Sequence, residues 1–156
     1  MILDHSPPIS TLRDEAAVRW GFLEDETDAC AVVSERMELV YLNALARVLT
    51  PPQWFAKRCF EVLPATDEQC AWQCPTIVAV HQAEDITYCE ESLHGDDASV
   101  VILGTAVIPL ARVREDESRA LLLFRHKDES CDEVGFQKKL LEDASRLQAR
   151  VTSHFV

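Results

Sequence analysis

The residues best suited to chemistry in this chain of 156 residues are its six cysteines, three of which, Cys59, Cys70 and Cys74, fall close together in the sequence. Thiolates are soft ligands that bind zinc or iron-sulfur clusters, and neighbouring thiols also form redox-responsive pairs. Free cysteines are, however, often simply small buried hydrophobic residues. Three hypotheses therefore stay open for this cysteine trio: a metal or cluster site, a redox-responsive thiol pair, and core packing.

A metal held by the trio needs a further ligand, because structural zinc sites are almost always tetrahedral. Cys89 is the first choice, and His81 and His94 are alternatives. His81 also follows an apolar helical run, where it could ligate haem. Most histidines in such positions, however, are partly exposed surface residues. We therefore predict zinc or an iron-sulfur cluster ahead of haem, without choosing between the two.

Aromatic side chains near the cysteines predict a pocket for a planar ligand, although core packing explains them equally well. The predicted pocket residues are Trp54, Phe60, Trp72, His81 and Tyr41.

Composition limits the classes of function. The chain has 15 Lys plus Arg against 27 Asp plus Glu, a net charge of -12, which disfavours binding to nucleic acid or anionic lipid. No basic segment followed by an apolar run begins the chain, and no apolar stretch approaches the ~18 residues of a membrane span. We find no sequence motif of a known catalytic site. The sequence thus predicts a cytoplasmic, non-enzymatic domain whose thiols stay reduced.

Hydrophobic periodicity predicts an N-terminal helix, a β-hairpin, short helices, three further strands and a C-terminal helix. This order fits a five-stranded antiparallel sheet with helices on one face, an α+β fold. The predicted bounds are Thr11 to about Leu23 for the first helix, Ala29–Val33 and Glu38–Leu42 for the hairpin, a brief helix from Asn43, a helix after Pro75, and strands at Asp85–Leu93, Ser99–Leu110 and Arg119–Phe124.

The C-terminal helix, from Asp132 onward, has apolar residues spaced 4, 3 and 4 apart, as in a coiled-coil seam. The pattern predicts a helix that projects toward a second copy of the chain, and an equally good alternative is a helix folded back on its own domain. The residues predicted to form the dimer are Leu140, Ala144, Leu147 and Val151, with Leu12 and Trp20 of the first helix.

Two segments, Val40–Ala46 and Leu121–Arg125, resemble the strand-to-helix junction and the last strand of PAS domains. Arg58–Val62, followed by Cys70 and by Cys74 with Pro75, resembles a cysteine-containing subset of that family. The resemblance implies a sensory domain at residues 28–130, between an N-terminal helical cap at 1–27 and an exit helix at 131–156.

As an input module of a bacterial signalling protein, such a domain is expected to form a homodimer and to act on an output domain, kinase or regulator. Its signal would be a redox state, a metal or cluster, or a small ligand. The alternative is a cofactor-free dimerisation or protein-interaction module with inert buried cysteines.

Overall fold

The structure, a computed structural model, describes residues 9–50, 52–58, 85–94, 100–110, 118–127 and 132–154. Five strands form one antiparallel sheet in the order β2-β1-β5-β4-β3. The strands are β1 (Ala29–Ser34), β2 (Leu39–Leu42), β3 (Thr87–His94), β4 (Val100–Pro109) and β5 (Ser118–Lys127), and the helices are α1 (Ile9–Trp20), a 3-10 helix (Gly21–Asp25), α2 (Ala44–Arg47) and α3 (Glu133–His154).

The predicted α+β fold with a five-stranded antiparallel sheet is confirmed, and so is the hairpin of β1 and β2. The first helix is shorter than the sequence pattern indicates, since it ends at Trp20 and a 3-10 helix continues it. Gly21 has a low helix propensity, and 3-10 turns are common where an α-helix ends. This tighter turn still places Leu23 in the core, where it is fully buried.

One face of the sheet, here called the inner face, is lined by a cluster that includes α2 and Trp54. Alternate residues of β1 point to it. The buried members of this cluster are Ala29, Ala31, Val33, Met37, Leu39, Leu42, Ala46, Trp54, Val107, Ala120, Leu122 and Phe124.

The opposite, outer face is covered by the first and last helices of the same chain. Cys30 and Val32 of β1 point to this face, so every residue of β1 is buried. Burial on both faces explains why β1 is apolar from Ala29 to Val33 instead of alternating. The helical residues in the outer-face cluster are Ala16, Trp20, Leu23, Leu140, Ala144, Leu147 and Val151.

This packing takes up the apolar seam of the last helix. Leu140 and Ala144 are completely buried within one chain, and Leu147 and Val151 are nearly so. The structure therefore has the helix folded back on its own domain, the alternative to a helix projecting toward a partner. The reason is that the spacing specifies one apolar stripe on α3, and the outer face of the sheet offers an apolar surface to cover it.

The three predicted segments, 1–27, 28–130 and 131–156, share this core, because α1, the sheet and α3 all contribute to the outer-face cluster. Among the helices that the structure describes, none is long and apolar enough to cross a membrane.

Candidate functional site

Cys89 lies on the inner face, on the edge strand β3, and packs half-buried against the inner-face cluster. Directly opposite it on β4 is Thr105, and opposite Thr105 on β5 is Phe124. A thiol, a hydroxyl and an aromatic ring thus form one row across three strands. Trp54 belongs to the same face and is 4% exposed.

The other predicted ligands of a metal lie outside the described residues: Cys59, Cys70, Cys74 and the alternatives His81 and, for its side chain, His94. Within the part of the chain that the structure describes, no group of three or more His, Cys, Asp or Glu side chains could hold a metal ion. The predicted pocket residues Phe60 and Trp72 also lie outside the described residues. Of the predicted metal and pocket residues, the structure brings Cys89 and Trp54 to one face.

Tyr41, also predicted to line the pocket, lies on the opposite side of the sheet from Trp54. The pairing of β1 with β2 skips Val40, a β-bulge that leaves Leu39 and Leu42 on the inner face and turns Tyr41 to the outer one. Tyr41 and Trp54 therefore do not line one pocket. The register of β1 and β2 thus corrects the prediction that Tyr41 lines a pocket together with Trp54.

Tyr41 instead links β2 to the 3-10 helix. Its hydroxyl donates a 2.5 Å hydrogen bond to Glu24, which also accepts hydrogen bonds from the Ala44 backbone and from Arg47. Burial and this hydrogen bond raise the pKa of Tyr41 to about 12. Burial works against the charge of Glu24, but its three partners hold the pKa of that carboxyl below its usual value.

Asn43 is the polar centre of the N-terminal half, and it is only 1% exposed. Its Oδ1 accepts hydrogen bonds from the backbone N–H groups of Cys30 and Ala46, at 2.9 and 3.0 Å. Its Nδ2 donates to the carbonyl oxygens of Leu23 and Asp28, at 3.2 and 2.9 Å. One amide therefore caps α2 and ties it to β1 and to the 3-10 helix.

Arg125 fastens α3 to the sheet. Its Nε and Nη2 donate to the two carboxylate oxygens of Asp28 at 2.9 and 2.5 Å, and Nη2 also donates to Asp143 at 2.8 Å. These hydrogen bonds, that to Asp28 above all, raise the pKa of Arg125. Burial disfavours the charge of Asp143, yet the hydrogen bond and charge of Arg125 lower the pKa of that carboxyl.

Further contacts hold both ends of α3. At its start, Phe136 lies against Gly104 of β4 so closely that a methyl group on Gly104 would overlap the ring. Toward its end, Arg150 donates to Glu26 at 2.7 Å and to Asp25 at 3.2 Å. α3 is therefore joined both to the sheet and to the segment that leads into β1.

Cys30 lies under this layer and is completely buried. Burial, the largest cause, and the nearby carboxylates of Glu26, Asp28 and Glu24 raise the pKa of its thiol strongly. A thiol that stays protonated is a poor nucleophile and a poor metal ligand. Cys30 is thus a small core residue of the outer-face cluster.

Sequence reasoning did not assign roles to Asn43, Thr105, Arg125 or Phe136. The position of Asn43 between a strand and a helix is an N-cap signal that could have identified its backbone bonds. No local signal distinguishes Thr105 or Phe136, because the residues beside them lie on other elements: the neighbouring strands for Thr105, and Gly104 of β4 for Phe136.

Comparison with known proteins shows what this geometry resembles. No protein-family profile matches the sequence, and no curated protein sequence matches it closely enough to count as a relative. Solved structures do match. A LOV protein of Rhodobacter sphaeroides is 14% identical over 88% of this chain and 91% of that one, with a TM-score of 0.55.

The PAS domain of an HTR-like protein from Haloarcula marismortui is 14% identical over 76% of this chain and 97% of that one, with a TM-score of 0.50. VqmA of Vibrio cholerae is 10% identical over 72% of this chain, which spans 52% of VqmA, with a TM-score of 0.55. At such low identities the likeness establishes the fold, and the chain has the fold of PAS domains.

Proposed function

We propose that this chain is a sensory PAS domain that responds to a change on the inner face of its sheet and passes the response to its terminal helices. The observation that carries the proposal is the arrangement of the two faces. The inner face carries Cys89 and Trp54, and the outer face is covered by α1 and α3 of the same chain. Sensing and relay therefore share a single layer of strands.

The last strand offers a direct route between the two faces. Phe124 packs on the inner face, and the next residue, Arg125, holds Asp143 of α3. A shift of β5 caused on the inner face would therefore alter the ion pairs that dock α3. Such a relay requires that the signal bind or stabilise two arrangements of the helix unequally.

The signal in this proposal is the chemical state of the cysteines or a small ligand. Cys59, Cys70 and Cys74, with Cys89 as the further ligand, would respond by oxidation of thiols or by loss of zinc or an iron-sulfur cluster. The fold neighbour VqmA supports a receptor role. Its solved structures relate it to LuxR-type receptors, and one of them has VqmA bound to DPO. The output of this chain would be a linked domain, a kinase or a regulator.

A homodimer is also part of the proposal. Because Leu140, Ala144, Leu147 and Val151 of α3 are buried within the chain, a second copy of the chain would contact other, exposed apolar side chains. Leu12 and Val18 of α1 are 40% and 86% exposed. Sedimentation of the purified chain, compared with a Val18→Glu variant, measures how much the exposed apolar surface of α1 contributes to a homodimer.

The proposal is tested on anaerobically purified protein by metal analysis, by an absorption spectrum and by hydrogen exchange of α3. An iron-sulfur cluster gives absorbance between roughly 320 and 450 nm, whereas stoichiometric zinc without colour indicates a structural site. We expect oxidation with diamide to increase exchange in α3. A variant with serine at Cys59, Cys70 and Cys74 should lose this response.

The matched control is Cys131→Ser, which removes a thiol outside the trio and should keep the response to diamide. A colourless, metal-free protein whose trio resists alkylation while folded, and whose α3 exchanges equally in both redox states, would contradict the sensor proposal. That result would favour the cofactor-free interaction module.

A further inference from the structure

A groove of about 470 Å³ lies at the β2 edge of the sheet. One wall is the face of α1 from Leu12 to Arg19, another is the hairpin of β1 and β2, and Phe55 also lines the groove. Cys89 lies on β3, the strand at the opposite edge of the sheet. The groove is therefore separate from the part of the inner face that carries Cys89.

Ser34, in the hairpin wall, is a buried polar side chain with an unused donor. It is 4% exposed, and its Oγ accepts hydrogen bonds from the backbone N–H groups of Arg36 and Glu38, both at 3.2 Å. These bonds occupy both lone pairs of the oxygen, so the hydroxyl can only donate a further bond. Among the residues that the structure describes, no acceptor for its hydrogen is present. Because buried polar groups nearly always have partners, Ser34 calls for an acceptor supplied by a molecule in the groove.

The charges of the groove favour a cation. Two carboxylates, of Glu15 and Glu38, line it together with one guanidinium, of Arg19. Negative charge is thus in excess, in a chain whose net charge is -12. A positively charged group is attracted to such a surface, and an anion is repelled.

The length of the groove sets the size of its occupant. The α1 wall from Leu12 to Arg19 is about 10 Å long, at roughly 1.5 Å per residue. An extended chain covers this distance with about three residues. A short peptide segment offers all that the groove calls for, namely backbone carbonyl acceptors, apolar side chains and a basic side chain.

We propose that the groove between α1 and β2 docks a short extended segment of a partner protein, with a lysine or arginine among apolar residues. Ser34 donates a hydrogen bond to a backbone carbonyl of this segment. Glu15 and Glu38 attract its basic side chain, and Leu12 and Phe55 contact its apolar side chains. The inference goes beyond the proposed function, because docking at this edge requires no signal on the inner face.

The test uses three acetylated and amidated pentapeptides of sequence Ala-Leu-X-Leu-Ala, in which X is lysine, glutamine or glutamate. Binding to the full chain is followed by NMR, through the amide shifts of Ala16, Ser34 and Val40. We expect the lysine peptide to bind about twofold to fivefold more tightly than the glutamine peptide, the gain of a partly exposed ion pair. This preference should weaken as NaCl is added, and the glutamate peptide should not bind.

Variants of the chain separate charge from apolar contact. Glu15→Gln and Glu38→Gln should each reduce the preference for lysine over glutamine, whereas Leu12→Gln and Ser34→Ala should weaken both peptides. The matched control is Glu142→Gln, the same loss of charge at an exposed position of α3 outside the groove, which should leave the preference unchanged.

The inference is overturned if the three peptides bind equally, if Glu15→Gln and Glu38→Gln act no differently from Glu142→Gln, or if the shifted amides lie away from the groove. Binding of n-butylamine as tight as that of the lysine peptide would also overturn it, in favour of a small amine. So would the same amide shifts at rising protein concentration without peptide, in favour of a second copy of the chain. Failure of the sensory proposal, with α3 exchanging equally in both redox states, leaves peptide binding as expected.

Discussion

The sharpest prediction concerns Asn43, the only asparagine in the chain. Replacing Asn43 with alanine removes four hydrogen bonds at once and leaves buried partners behind. The Cys30 N–H, on a residue with no exposed surface, loses its bond to the Asn43 side chain, whereas the Leu23 carbonyl still accepts a hydrogen bond from the Glu26 N–H. An unsatisfied buried backbone group costs about 1–3 kcal/mol.

Loss of the helix cap on α2 adds about 0.5–2 kcal/mol, and neighbouring effects do not add fully. We therefore expect Asn43→Ala to lower the free energy of unfolding by about 2–4 kcal/mol, a large part of the roughly 5–15 kcal/mol of a typical domain. The measurement is urea unfolding at about pH 7, followed by tryptophan fluorescence. Trp20, completely buried beside the 3-10 helix, reports on this region.

Asn43→Asp tests the direction of the bonds. It keeps the two acceptor bonds but places a carboxylate oxygen against the carbonyls of Leu23 and Asp28. Its deficit should therefore shrink on acidification, when a protonated carboxyl can donate. The control is Gln137→Ala, which removes an exposed amide on α3 and should change stability by about 0.5 kcal/mol or less. A loss below about 1 kcal/mol in Asn43→Ala refutes the reasoning.

Two further predictions concern the docking of α3. Gly104→Ala should displace the Phe136 ring and lower the free energy of unfolding by about 1–3 kcal/mol, whereas Gly21→Ala, with open space around it, should be neutral or slightly stabilising in the same urea titration. Equal effects of the two substitutions would contradict the contact. Asp143→Asn should cost about 1 kcal/mol at about pH 7, as expected of a partly exposed ion pair with Arg125. Because the folded-state pKa of Asp143 lies below its ordinary 3.8, the carboxylate stabilises the fold above that pH, and the stabilisation is lost as the pH falls through the lowered value. The difference between the two proteins should therefore narrow as the pH falls below 3.8, and a difference that is constant with pH would argue against the Arg125 contact.

The strands were predictable where the sequence pattern is local. The hairpin of β1 and β2 follows from two apolar runs around a short polar turn, and the structure pairs Val32 with Tyr41 across it. The bulge at Val40 was not predictable, since it depends on how β2 fits against its neighbours. The sequence therefore groups Tyr41 with Trp54 in one pocket, whereas the bulge places Tyr41 on the outer face and Trp54 belongs to the inner-face cluster.

The candidate site was predictable only in part. Cys89 and Trp54 were identified from residue type, and the structure places both at the inner face. Thr105 was missed because β4 is buried on both faces, so its apolar run shows no alternation that would single out one polar residue. Arg125 was visible as a motif residue, but its partners are far away in sequence, Asp28 by 97 positions.

In the part of the chain that the structure describes, the sequence by itself determined the type and order of the helices and strands, because hydrophobic period and turn residues act over a few neighbouring positions. It also determined that α3 has one apolar stripe, and it located the cysteine trio. Only the tertiary structure decided what covers that stripe and to which face each described side chain of the sheet points. These are set by contacts between residues distant along the chain, and a local pattern specifies that a surface must be buried without specifying against what.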